Sequence, residues 1–314
     1  MTCQTVIVLA AVVHSLGCGG FARPSTATDA SVDRDANVDA LDVGAGAACD
    51  LNKPFKTPTL VGGVNTTMDE FSARLSPDQL TVYVHNDSGG HDLFVATRAT
   101  KQAPFGNPVP ITELNTPNFQ GHPSVTADGL TLYFTSSEPG GPGNFDIHSS
   151  SRPATTVIFS SPSVVANVNT AGPEDVVYAT PDGTTLVLSN NTGGSFDLYS
   201  TSLVGGTFGA PQTIAAVNTT AGLEDFPVIT ADGLTLFYAH ATANTLNAAQ
   251  IFVAHRSTTL DGFGIPSSVV ELNPNDGSTS APTWISPDAC DLYFISNRPN
   301  GVGGFDIYEA SRPL

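Results

Sequence analysis

A short signature, Ser/Thr-Pro/Ala-Asp and usually Gly, recurs five times in this 314-residue chain, with its aspartate at Asp78, Asp128, Asp182, Asp232 and Asp288. The spacings are 50, 54, 50 and 56 residues, a period at which a chain builds stacked or ringed copies of one small unit. Each copy leads into an apolar run rich in β-branched and aromatic residues: 80–84, 130–134, 185–188, 234–238 and 291–295. Such runs, bounded by Gly and Asn, are strand signals. A Gly/Asn-rich turn follows, then a second run opening at Asp92, Asp146, Asp197, Gln250 and Asp306. Six residues further on stands Arg98, Arg152, Arg256 or Arg312, with Leu203 in the third copy. A third run opens at Phe105, Phe159, Phe208 and Phe263 in a Phe-Gly-x-Pro motif or a relative of it, and ends at Asn115, Asn169, Asn218 and Asn273. One more short strand fits before each Ser-Pro-Asp turn, as at residues 227–230 and 282–285, giving four strands per unit of about 52 residues.

That arithmetic predicts an all-β fold, a five-bladed β-propeller over residues 55–314 with four-stranded antiparallel blades. A single four-stranded sheet cannot bury both faces, but sheets packed radially bury each other and leave only short edges. The third-run motif also occurs before the first signature, as Phe55-Lys56-Thr57-Pro58 running to Asn65, and no copy of it follows Arg312. The N-terminal strand is therefore expected to complete the last blade and close the ring. The repeated Pro-x-x-Ser-Pro-Asp-Gly and Asp-Ile-Tyr pattern resembles the WD-like repeat of TolB-type β-propellers of bacterial envelopes. The resemblance spans residues 55–314 and implies a propeller fold and an envelope location; it departs from TolB in blade count, five against six.

Ahead of the repeats, residues 6–13 form an apolar run too short to span a bilayer, followed by Gly17-Cys18-Gly19-Gly20. This reads as a secretory signal over residues 1–18. Ser15-Leu16-Gly17-Cys18 resembles the lipobox of bacterial lipoproteins, which implies lipidation at Cys18 and attachment to a membrane through that anchor alone. Residues 19–54 are rich in Ala, Asp, Ser and Thr and read as a flexible acidic tether. The four cysteines are Cys3, Cys18, Cys49 and Cys290. If Cys3 leaves with the signal and Cys18 takes lipid, two remain for one disulfide in an oxidising compartment. Strand order puts Cys290 in the turn between the first two strands of the last blade and Cys49 just before the strand that closes it. Residues 49–55 can reach roughly 20 Å, enough to cross the intervening strand. A Cys49–Cys290 disulfide is expected.

With 11 Lys+Arg against 29 Asp+Glu the net charge is −18, which excludes a nucleic-acid partner dependent on clustered basic residues. No CxxC pair, P-loop lysine or GxSxG elbow occurs. The Asp of each Ser-Pro-Asp turn is expected to bond its own backbone rather than to do chemistry. Eight residues before each turn aspartate stand Glu70, Gln120, Glu174, Glu224 and Ser280, followed by Phe71, Gly121, Asp175, Asp225 and Ala281. These positions enter the innermost strand and should ring one mouth of the central channel. Glu70, Glu174, Asp175, Glu224 and Asp225 are thus candidates to bind a divalent cation such as calcium or a basic group, or are solvated rim carboxylates. The favoured function is a non-catalytic, monomeric envelope lipoprotein, periplasmic or surface-facing, that binds a protein or other macromolecule and needs no cofactor. A glycan- or cation-binding module is the alternative. A five-bladed glycosidase is the third, and would need two carboxyls about 5–10 Å apart, with Glu70, Glu174 and Glu224 as candidates.

Overall fold

The computed structural model describes residues 49–314 apart from 88, 89 and 221; the signal segment, Cys18 and most of the acidic tether lie outside the described residues. Five antiparallel sheets form the five blades of a propeller, and among the described residues there is no helix. From the channel outwards, blade 1 contains Glu70–Leu75, Thr81–Asn86, Asp92–Thr97 and Val109–Pro110. Blade 2 contains Gln120–Val125, Thr131–Ser136, Asp146–Ser151 and Ser163–Val164. Blade 3 contains Glu174–Ala179, Thr185–Asn190, Asp197–Val204 and Gln212–Thr213, with a further short strand, Thr207–Phe208. Blade 4 is built from Leu223–Ile229, Thr235–Ala241, Gln250–His255 and Ser267–Ser268. Blade 5 takes Ser280–Ile285, Asp291–Ser296 and Asp306–Ser311 from the end of the chain and Thr59–Leu60 from its start.

The N-terminal strand closes the ring, Thr59 opposite Glu309 and Leu60 opposite Tyr308. Two paired residues are a weak latch, and other contacts reinforce it. The Asp50 and Lys56 amides donate to the Pro313 and Ser311 carbonyls, and Cys49 is bonded to Cys290 with their Cα atoms 5.7 Å apart. Among the described residues, contacts with the propeller thus include Cys49 and Asp50, ahead of Phe55.

Each recurring residue has a local structural task. In every Ser-Pro-Asp turn the Ser or Thr hydroxyl donates to the turn aspartate at 2.5–2.6 Å, and that aspartate accepts the amide two residues on. The Asn that ends each third run acts as an extra rung on the third strand. Its Oδ1 accepts the amide, and its Nδ2 donates to the carbonyl, of Leu93, Ile147, Leu198, Ile251 or Ile307. The four repeat arginines lie over the Phe of the third-run motif, 4.0–4.6 Å from the ring centres of Phe55, Phe105, Phe159 and Phe263. Blade 3, with Leu203 in place of that Arg, extends its third strand and turns back through Gly205 and Gly206, both at positive φ.

Between blades the core is apolar. Val82, Leu132, Leu186, Leu236 and Leu292 hold one equivalent position in the second strands and are buried, each burial contributing about 1.5–3 kcal/mol. The inner strand of every blade slips register near its start, between Glu70 and Ser72, Gly121 and Ser124, Glu174 and Val177, Asp225 and Val228, and Pro282 and Trp284. Such bulges re-aim side chains. They line one mouth of the channel.

Candidate binding cavity at one mouth of the channel

The glutamates at the start of the inner strands turn away from solvent. Glu70, Glu174 and Glu224 are 0% exposed, and each folds back on a threonine four or five residues earlier. Glu70 accepts the Thr66 hydroxyl at 2.6 Å and the Thr66 amide at 3.2 Å. Glu174 accepts the Thr170 hydroxyl at 2.7 Å and its amide at 2.9 Å, and also the Asn190 side chain. Glu224 accepts both groups of Thr219 at 2.9 Å and lies 2.8 Å from His240 Nδ1. Gln120 meets Thr116 in the same way in blade 2 while uncharged, its Oε1 accepting the Thr116 amide and its Nε2 donating to the Thr116 hydroxyl. Burial raises the Glu70 and Glu174 carboxyls from the ordinary 4.5 to about 7, with the threonine hydrogen bonds opposing the rise.

The next residue along the inner strand faces the channel. Phe71, Asp175 and Asp225 line a cavity of about 490 Å³ together with His85, His91, Phe119, His122, Phe145, Pro173, Glu174, Phe196, Leu223, Phe226 and the loop residues Asn244, Thr245 and Leu246. Of the sequence-derived candidates, the structure brings Glu174, Asp175 and Asp225 to this cavity; Glu70 and Glu224 do not line it. Gly121 occupies the equivalent position in blade 2, where a Cβ would meet the Phe119 ring at 2.5 Å and His85 at 2.8 Å. Its lack of a side chain lets those rings pack.

The histidines and most of the phenylalanines are what sequence reasoning missed. His85 is on the second strand of blade 1, His91 in the turn after it, and His122 on the inner strand of blade 2. One signal was present: His91, Phe145, Phe196 and Phe305 all immediately precede the residue that opens the second run. The rings interlock. His122 meets Phe226 edge-on at 5.3 Å, Phe119 meets Phe145 at 5.2 Å, and His85 lies 4.9 Å from His122. Three cavity residues, His91, His122 and Phe226, have φ of 69°, 51° and 50°. Bulky side chains seldom adopt that region, at about 1–3 kcal/mol each, and such strain gathers where a site is pre-shaped.

Polar groups run across the cavity from blade to blade. His85 Nε2 is 3.2 Å from His91 Nδ1, and His122 Nε2 is 3.4 Å from Asp175 Oδ1. The Asp175 and Asp225 carboxyls lie within hydrogen-bonding reach of each other, and Asp225 Oδ1 accepts the Phe226 amide at 2.7 Å. Burial, and then the Asp175 charge, pushes Asp225 well above the usual carboxylate range. Burial acts in the same sense on Asp175, but His122 and the hydrogen bond from Asp225 outweigh it and hold Asp175 low. Within the pair the charge is thus favoured on Asp175 and the proton on Asp225. His85 is held well below its ordinary value by burial and by its two histidine neighbours, and is neutral. Among the described residues no three His, Cys, Asp or Glu side chains are arranged to hold a metal ion.

No family model matches the chain, and no curated protein sequence does. Among solved structures it is similar to a thermostable family-43 glycoside hydrolase, at 13% identity over 80% of this chain and 92% of the other, with a TM-score of 0.52. It is also similar to TolB from Acinetobacter baumannii, at 17% identity over 78% of this chain and 55% of that one, TM-score 0.48. A third is an α-L-arabinofuranosidase from Podospora anserina, at 12% identity over 82% and 96%, TM-score 0.48. The chain thus spans about half the length of the Acinetobacter protein. At these identities the likeness concerns fold alone: the chain is a five-bladed β-propeller built from five copies of one repeat.

Proposed function

We propose that this is an exported, non-catalytic envelope propeller, anchored through Cys18, that takes a lysine- or arginine-bearing segment of a partner protein into the cavity at the channel mouth. The observation that carries this reading is an aromatic-walled cavity of about 490 Å³ lined by the Asp175 and Asp225 carboxyls, with Asp175 held below the ordinary carboxylate range. Phenyl faces and one carboxylate in a low-dielectric recess favour an organic monocation through cation–π and Coulomb attraction together. The net charge of −18 steers basic partners toward the protein and repels acidic polymers. The disulfide suits an oxidising compartment outside the cytoplasm.

Calorimetric titration with N-acetylated, amidated Gly-Lys-Gly and Gly-Arg-Gly peptides, calcium chloride and cellotriose tests the ligand class. The peptides are expected to bind, and Asp175→Asn to weaken them about tenfold or more, equivalent to 1.4 kcal/mol. Binding of cellotriose alone would favour the glycan reading, since the same ring faces can stack on a sugar. Cys18→Ala is expected to release the protein from the membrane fraction. If it fractionates as the parent does, the anchor lies elsewhere.

A further inference from the structure

The opposite mouth of the channel, at the Ser-Pro-Asp turns, holds a charge that the reading above does not use. Arg74 is the fifth residue of the inner strand of blade 1, at the position held by Ser124, Tyr178, Val228 and Trp284 in the other blades. The residue is only 2% exposed, and its side chain crosses between blades. Its Nε donates to the Pro123 carbonyl of blade 2 at 3.2 Å and its Nη2 to the Val177 carbonyl of blade 3 at 3.3 Å. The guanidinium carbon sits 4.4 Å from the centre of the Tyr178 ring, while Nη1 is buried without a partner.

No ion pair among the described residues involves Arg74. Burial lowers its pKa to about 9, which leaves it charged at neutral pH. Carbonyl dipoles and a ring face solvate a guanidinium but do not neutralise it, and an unpaired buried charge is costly. Arg74 lines a void of about 20 Å³, room for a particle of roughly water size. Tyr178 and Trp284 line the same void. Pro77, Pro181 and Pro287 complete much of the wall. One unsatisfied cationic donor, with a phenol and an indole beside it, therefore faces a space lined by no carboxylate. The exposed turn aspartates on this face each direct an oxygen into their own turn.

We propose that this mouth binds one small inorganic anion of halide size, held by Arg74 with the Tyr178 hydroxyl and the Trp284 indole N–H. A water molecule could satisfy a donor but would leave the charge unbalanced. The site lies at the far end of the channel from the cavity that takes the partner segment, so either assignment can fail without the other.

The test compares sodium chloride with sodium gluconate, whose anion is too large for the void, at equal ionic strength on the oxidised full-length protein. Chloride is expected to raise the melting temperature by at least about 2 °C and to broaden the ³⁵Cl resonance. Arg74→Met, which keeps the side-chain length without the charge, should abolish both effects. Should that variant fail to fold, Trp284→Phe removes one donor and keeps the arginine, and is expected to weaken chloride binding at least threefold. No difference between chloride and gluconate in the parent overturns the proposal. So does a chloride effect that survives unchanged in Arg74→Met, or in Trp284→Phe where the methionine variant does not fold.

Discussion

Replacing Cys49 and Cys290 by alanine is expected to lower the unfolding free energy by about 2–5 kcal/mol, the upper figure being the chain-entropy value for a loop of this length. The crosslink joins residues 241 apart in sequence, so in the unfolded chain it removes the closure entropy of nearly the whole propeller. The native ring makes this matter, because blade 5 is completed by a strand of only two paired residues, Thr59 and Leu60. Without the disulfide the segment before Phe55 keeps the Asp50 amide bond to Pro313 and the exposed bonds of Lys53 with Leu314 and Arg312. Denaturant titration of the oxidised parent against the double variant gives the free energy. Hydrogen exchange at the amides of Val61 and Ile307 shows where the loss falls. Both should exchange much faster in the variant, since the outer edge of blade 5 is where the ring opens first. Equal denaturation midpoints would mean that the strand latch alone holds the ring.

The second large effect concerns pH. Glu70 and Glu174 have folded-state pKa values of about 7 against an ordinary 4.5. Below pH 4.5 both are protonated whether the chain is folded or not, and their neutral forms contribute fully. As pH rises toward 7 the unfolded chain ionises first, so stability falls, and the contribution is gone once the folded carboxyls have ionised as well. Glu70→Gln and Glu174→Gln should remove that decline. Each is expected to stabilise the protein above pH 7 by about 1–2 kcal/mol, once screening by solvent beyond the turn is allowed for, and to change little at pH 4. Gln120 shows that an amide fits, since it caps its own Thr116 with bonds of 2.8 and 2.9 Å. Stability curves of parent and double variant that stay parallel from pH 4.5 to 8 would show that these carboxyls are ionised throughout.

The blades and the closure of the ring were legible because they rest on local chemistry repeated five times. Each Ser-Pro-Asp turn is bonded within six residues, and the strand runs alternate around it, so one copy explains the others. The disulfide followed from strand order. The direction of the glutamates did not, although its cause is local: the threonine four or five residues earlier captures each carboxyl, and only Glu174 still borders the cavity. The cavity was hidden for a different reason. It is built from what differs between copies: His85 and His91 in blade 1, Gly121 and His122 in blade 2, Asp175 in blade 3, and Asp225 and Phe226 in blade 4. Periodicity reveals equivalent positions and is silent about unlike residues that meet across blades. By itself, then, the sequence determined the unit, the blade count, the ring closure and the crosslink, since turn chemistry and strand patterning act between near neighbours. Only the tertiary structure decided which side chains share the channel, because the bulge at each inner strand and the curvature of the ring set where residues some 50 positions apart converge.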